Sequence, residues 1–147
     1  MRATLLDEFN SIDRMFEHTR RVAVLGIKPD TYVDRPAYQI PAHLLRMGYE
    51  IFPVPVAYPE VTRILGKPVY RKVADIRGRV DVVDVFRKAE ELDPHLPDLL
   101  QARPHVVWLQ SGIRNDAFAE KLLDAGIFVV QGHCMRVEHR RWRAERD

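Results

Sequence analysis

Four cations, Lys28, Arg87, Lys88 and Arg114, each follow a short apolar run, and a fifth, Arg35, stands beside Pro36 shortly after the first of those runs. Cations placed this way suit a ligand with several phosphates, because ammonium and guanidinium groups make charge-assisted bonds to phosphate oxygens. Gly26 ends the first run, Val22-Ala23-Val24-Leu25. A glycine there allows a tight turn and lets a phosphate approach the backbone. The dinucleotide fingerprint needs two further glycines at fixed spacing, and Ile27, Lys28 and Pro29 stand in that stretch instead. The loop therefore does not encode an NAD-type pyrophosphate clamp. Each feature also has a plainer reading: Gly26 as a simple strand-to-helix turn, Arg35 as a surface cap or ion pair, Phe86 as core.

Two other groups could do chemistry. Asp81 and Asp84 suggest an acid pair, yet an odd separation on one strand puts them on opposite faces. A strand end or a local salt bridge is the better reading. The segment His133-Cys134-Met135-Arg136-Val137-Glu138-His139 invites a metal site or an activated thiolate. No familiar ligand pattern is complete in it and Cys134 is the sole cysteine, so neither a metal nor a catalytic residue is expected.

These residues need elements to hold them. Leu5, Phe9, Ile12 and Phe16 have helical spacing and predict an amphipathic N-terminal helix over residues 1–19. After the first strand, Ala37, Ile40, Leu44 and Met47 give a second stripe that Gly48 ends, with Pro36 opening its first turn. Pro41 lies inside that stripe and predicts a kink or a two-part helix. Residues 49–56 read as strand two, which Pro53 and Pro55 must shorten or bulge. Residues 64–70 read as a turn into a very short strand, and 73–76 as one helical turn. Residues 80–86, 105–110 and 127–130 read as strands, 94–102 as a short helix, and Asn115 as the N-cap of a helix through Phe118 and Leu122 that Gly126 closes. The charged stretch 136–146 reads as a solvated helix end, with 141–147 a charged tail.

The alternation predicts one α/β domain over 1–147, a Rossmann-like, doubly wound, mainly parallel sheet of about five or six strands with helices on both faces. In such sheets a ligand lies beyond the carboxyl ends of the strands. The strand-end residues share one crevice on this reading: the five cations beside apolar Val54, Pro55 and Phe86 and polar Gln110. That combination suits phosphates, a flat base and a long uncharged arm. At 147 residues with 30% charged and 46% hydrophobic residues, disorder is argued against, and no apolar run approaches the roughly 20 residues that cross a bilayer. One cysteine and acids early in the chain predict a cytoplasmic protein. A net charge of +2 fits a polyanionic small molecule and is weak evidence for nucleic acid.

The ordered runs Gly26-Ile27, Asp34-Arg35-Pro36-Ala37-Tyr38, Val54-Pro55, residues 80–87 ending in Phe86-Arg87, residues 107–115 containing Gln110-Ser111-Gly112, and residues 134–139 resemble the small single-domain CoA-binding proteins. That family is itself similar to the nucleotide-binding domain of the succinyl-CoA synthetase α subunit. The resemblance covers roughly residues 20–140 and implies coenzyme A, free or acylated, bound in an extended pose. It implies that the loop of Gly26, Ile27 and Lys28, with Arg35 and Pro36, holds phosphate. Val54 and Pro55 would pack the adenosine end, Phe86 and Arg87 would flank the middle, and Gln110, Ser111 and Gly112 would line the pantetheine arm, with Cys134 nearby. Lys28 and Ala37 depart from the family, which often has small hydroxyl residues there. Nothing matches the synthetase segment that carries the phosphorylated histidine.

The expectation is thus a non-enzymatic CoA-binding or regulatory protein, monomer or homodimer, with a small-molecule nucleotide ligand and no membrane partner. An NAD(P)-using or acyl-transfer enzyme and a protein-interaction module are the alternatives.

Overall fold

The computed structural model describes residues 2–6 and 9–146. In chain order the elements are α1 (Phe9–His18), β1 (Arg21–Leu25), α2 (Pro36–Arg46), β2 (Glu50–Val54), β3 (Arg63–Ile64), β4 (Lys67–Pro68), β5 (Val82–Val85), α3 (Leu96–Ala102), β6 (Val106–Leu109), α4 (Asp116–Asp124), β7 (Phe128–Val130) and α5 (Met135–Arg146). Single 3-10 turns at Val73–Asp75, Ala89–Glu91 and Asp93–His95 complete the set. The main sheet runs β2-β1-β5-β6-β7 with every pairing parallel. The fold is the Rossmann-like α/β sheet that the alternation predicts.

Both faces of the sheet are covered, which is why its strands are mostly apolar, with Asp84 of β5 the buried exception. Ala23, Leu25, Val83, Val85, Val107 and Leu109 point to α3, α4 and the turn at Val73. Val22, Val24, Val82, Val106 and Trp108 point to α1, α2 and α5. Chain direction around the sheet reverses between β1 and β5. From β1 the chain crosses outward to β2, then returns past β1 to β5.

The edges are closed off differently. Leu5 does not continue α1; it bridges in parallel to Val129, and Leu6 N–H donates to the Val129 carbonyl at 2.8 Å. The backbone at Leu5 and Leu6 thus pairs with the open edge of β7, while Ala3 N–H donates to the Leu123 carbonyl of α4 at 2.9 Å. On the opposite edge β2 stops at Val54 and keeps Pro53 inside it. Proline is tolerated on an edge strand, where its missing N–H need not serve a neighbour.

Helix α2 is continuous through Pro41, not divided. Proline 41 cannot donate to the carbonyl one turn back, at Ala37. That carbonyl instead accepts the Lys28 N–H at 3.2 Å. The β1–α2 loop is thus stitched to the helix by the bond that the proline left open. Leu65 and Gly66, at φ +54° and +74°, make the hairpin turn between β3 and β4. Both left-handed values are what a two-residue type I′ connection requires.

The basic C-terminal stretch is docked, not merely solvated. Arg141 pairs with Asp13 of α1 at 2.7 Å and with Glu138 at 3.2 Å, and Trp142 stacks on Phe16 at 5.5 Å. Asp147, the end of the expected tail, lies outside the described residues. His139 is wedged among Phe16, His43, Tyr49 and Trp142, 1% exposed, with neither ring nitrogen hydrogen bonded among the described residues. Burial, then the neighbouring His43 and Arg143, hold its pKa down to about 4. The unfolded chain therefore binds a proton that the folded one refuses between about pH 6.5 and 4, and stability falls as pH drops through that window. His139→Leu loses no hydrogen bond, so its acid-unfolding midpoint is expected at lower pH than wild type by fluorescence. An unchanged midpoint would assign the acid lability elsewhere.

Candidate nucleotide site at the strand ends

Gly26 is demanded by its surroundings. It sits at φ +87°, and a Cβ there would collide with the Phe86 carbonyl oxygen, with the Phe86 carbonyl carbon at 3.1 Å and Arg87 Cδ at 3.2 Å. Its N–H donates to the Val54 carbonyl at 2.9 Å. The glycine therefore lets the ends of β1, β2 and β5 close together. Its own amide is already engaged, as is that of Lys28, so these two N–H groups serve the loop and not a ligand.

Beyond β1 and β5, where the strand order reverses, lies a cavity of about 670 Å³. That volume is in the range of small-molecule and cofactor sites. Its basic side is built from Lys28 and Arg35 on the β1–α2 loop, Arg87 and Lys88 after β5, and Arg136 on α5. Its apolar side is built from Pro36, Ala37 and Ile40 of α2, with Phe86 and Ile113. Gln110, Ser111 and Cys134 complete the wall. The start of α2 also faces it, and the positive end of a helix favours anions.

The cations differ in how free they are. Lys28 Nζ donates to Tyr58 Oη at 3.2 Å and stands 5.5 Å from the ring centroids of both Tyr32 and Tyr58. The Tyr58 hydroxyl is held below the usual phenol pKa, first by its bond with Tyr32 and then by Lys28. Arg71 braces that tyrosine's loop through the carbonyls of Pro59 at 3.2 Å and Val61 at 2.6 Å. Arg87 makes only a long contact to Glu91, 3.5 Å, and its buried Nε has no partner among the described residues. An arginine half-buried in this way has donors to offer an anion.

Several strand-end residues do not reach the wall. Ile27 is 1% exposed and Val54 fully buried, both in the core, and Pro55 is buried beside them. Consecutive residues on a strand point to opposite faces, so the end of β2 cannot offer all its side chains to one crevice. Gly112, at φ +84°, shapes the turn in which Ile113 N–H bonds to the Gln110 carbonyl at 2.9 Å. Arg114 turns away and pairs with Asp116 at 3.2 Å. The sequence reading missed Ile40 and Arg136 as wall residues. Ile40 lies one turn after Pro36 on the same helical face, which is the signal that would have found it.

Asp81, just before β5, and Asp84, within it, separate as their parity requires. Asp81 accepts from the backbone N–H of Arg20 and Arg21 at 2.9 and 2.8 Å, pinning the entry to β1. Asp84 forms no salt bridge among the described residues; it is fully buried and accepts from Gln110 Nε2. Gln110 Oε1 in turn accepts the Met135 N–H at 3.3 Å, at the first residue of α5. His133 Nδ1 lies 3.4 Å from Glu138. Among the described residues no three His, Cys, Asp or Glu side chains are grouped as metal ligands would be.

Residues 20–140 match the family described as the CoA binding domain. The chain belongs to that CoA-binding domain family. An uncharacterized Bacillus subtilis protein, YneT, is 29% identical over 128 residues, 87% of this chain and 91% of its own length. The structure of cell-free ID.343 from Thermus thermophilus superposes with a TM-score of 0.84 at 36% identity, covering 92% of this chain and 99% of that one. A dinucleotide-forming acetyl-coenzyme A synthetase from Ca. Korarchaeum cryptofilum, solved with phosphate and ADP, shares the fold at 22% identity and a TM-score of 0.64. It covers 80% of this chain and 26% of that one, so the fold of a CoA-binding domain recurs there inside a much longer chain. Among the described residues no helix is long and apolar enough to cross a membrane.

Proposed function

We propose that this chain binds coenzyme A, free or acylated, in the strand-end cavity and serves as a cytoplasmic binding or regulatory protein, not as an enzyme. The observation that carries the reading is the cavity itself. A CoA-binding domain family member has, at its β1/β5 reversal, five cations on one side and an apolar wall with a buried amide on the other. CoA has the matching halves: phosphates at one end, and a pantetheine arm whose amides suit the donor and acceptor of Gln110. The wall's titratable groups are those cations and the Cys134 thiol, a set fitted to holding an anion. The nucleotide is the partner this reading requires, and the protein works as a monomer or homodimer.

Titration calorimetry tests it. CoA is expected to bind saturably and more weakly as salt rises, since the contacts are charged and partly exposed. Arg87→Ala should weaken it roughly tenfold to a hundredfold, the usual worth of one charge-assisted bond. No heat at millimolar CoA would overturn the proposal. A thermal-shift panel with CoA, NAD and ADP separates this reading from a nicotinamide enzyme, and no response to any of them would favour an interaction module.

A further inference from the structure

Tyr58 has a backbone conformation that its own loop does not explain. It sits at φ +65°, in the left-handed region that a residue with a bulky side chain seldom adopts. The other non-glycine residues at positive φ among the described residues are Leu65, which makes the β3–β4 turn, and Arg103, which ends α3. Tyr58 does neither. Arg71 secures the strained loop by donating to the carbonyls of Tyr58 at 3.4 Å, Pro59 at 3.2 Å and Val61 at 2.6 Å. Strain of this kind persists where the surroundings fix it, and it clusters at sites that must aim a side chain.

The Tyr58 phenol is aimed at Lys28. Its oxygen accepts from Lys28 Nζ at 3.2 Å, and its ring lies 5.6 Å from that of Tyr32, with the ammonium facing both. Among the described residues Lys28 Nζ forms no ion pair; Asp30, the acid closest to it in sequence, accepts the Leu65 N–H at 3.0 Å. One of the three ammonium donors is used, so two remain, together with a phenol hydrogen that can rotate. The loop does not need the ammonium to keep its shape. Its backbone is already tied by the Lys28 N–H to the Ala37 carbonyl at 3.2 Å and the Tyr32 N–H to the Pro29 carbonyl at 2.9 Å.

Lys28 follows β1 and Tyr58 follows β2, neighbours in the sheet, so the pair stands at the β2 side of the cavity. In doubly wound sheets a diphosphate lies at the start of the helix after β1, and the ribose lies toward the end of β2, where an acid takes its hydroxyls or a cation takes a phosphate carried on it. Here α2 opens beside Arg35 and Arg87, which suit the diphosphate. Residues 55–58, Pro-Val-Ala-Tyr, contain no acid. An ammonium and a phenol without a carboxylate suit a phosphate oxygen better than a pair of ribose hydroxyls.

We propose, on the basis of the CoA reading above, that Tyr58 and Lys28 form the subsite that reads the phosphate monoester on the ribose of CoA. A phosphate oxygen bonded to Lys28 Nζ lies within reach of the Tyr58 hydroxyl as well, and the strained loop holds the two donors together before the ligand arrives. The protein therefore discriminates CoA from dephospho-CoA, which has the same diphosphate and the same pantetheine arm.

Calorimetry with CoA and dephospho-CoA on the full chain tests the pair. Wild type should bind CoA at least about tenfold more tightly than dephospho-CoA, the worth of one charge-assisted bond. Tyr58→Phe keeps the ring beside Lys28 and removes only the hydroxyl, and should cut that ratio at least about threefold; Lys28→Met should bring it within about twofold of unity. A ratio retained in either variant, even with both ligands weakened, would assign that side chain to the loop or the diphosphate and overturn the inference. Equal wild-type affinity for the two ligands would overturn it without any variant and leave the CoA reading standing. No binding of either ligand by wild type would overturn both.

Discussion

Gly26→Ala is expected to unfold the protein at a temperature about 10 °C below wild type and to abolish CoA binding in the folded fraction. Two costs add. An L-residue in the left-handed region loses about 1–2 kcal/mol, and Gly26 is held at φ +87° by the Val54 carbonyl that its N–H serves. The new methyl would also strike the Phe86 carbonyl oxygen, which is backbone and cannot rotate aside. Relieving that contact means parting β1 from β5 at the mouth of the cavity. A total near 3–4 kcal/mol converts to the stated shift at about 2–4 °C per kcal/mol for a chain of this size. Gly112→Ala is the control. It shares a left-handed φ of +84° but has nothing within 4 Å of the added methyl, so it should lose only the conformational part. Equal losses in urea melts of the two variants would show that the Phe86 contact contributes nothing.

Asp84→Asn is expected to stabilise the protein, and to do so more as pH rises. The folded pKa, about 7, lies above the 3.8 of the unfolded side chain, so the folded state holds a proton that the unfolded state gives up. Stability is thus unaffected by Asp84 below about pH 4, declines between about 4 and 7, and carries the whole penalty above that. The two values bound the penalty at roughly 4 kcal/mol, and relaxation or entry of water will reduce it. Chemical denaturation across pH gives the check. The wild-type and Asn curves should converge in acid and separate toward pH 8; a gap of constant size would mean that Asp84 does not titrate with folding.

Much of the fold was legible because its signals are local. Asn115 accepts the Phe118 N–H at 3.0 Å and Gly126 closes α4 at φ +86°, both foreseeable from residue type and spacing. The apolar strand runs were equally plain, since a sheet covered on two faces needs them. The N-terminal segment misled because Leu5 fits the helical stripe, yet an open edge at Val129 competes for the same backbone. At the site, the cations after β1 and β5 follow from the strand-end rule. Arg114 follows the same rule and fails it, because Asp116 two residues later takes its charge. The parity of Asp81 and Asp84 was readable too. The Asp84–Gln110–Met135 connection was not, since it depends on the register of β5 against β6 and on where α5 begins.

Pro41 bears on how the site meets its ligand. The Ala37 carbonyl it leaves open holds the Lys28 amide, and Arg71 clamps the loop on the other side of Tyr58. The β1–α2 loop is accordingly in place before anything occupies the cavity. Its conformational entropy is given up during folding, so docking need not wait for the loop to order. Encounter with a small anion should then be a single kinetic phase whose rate follows concentration linearly, with differences in affinity among ligands appearing in how fast they leave.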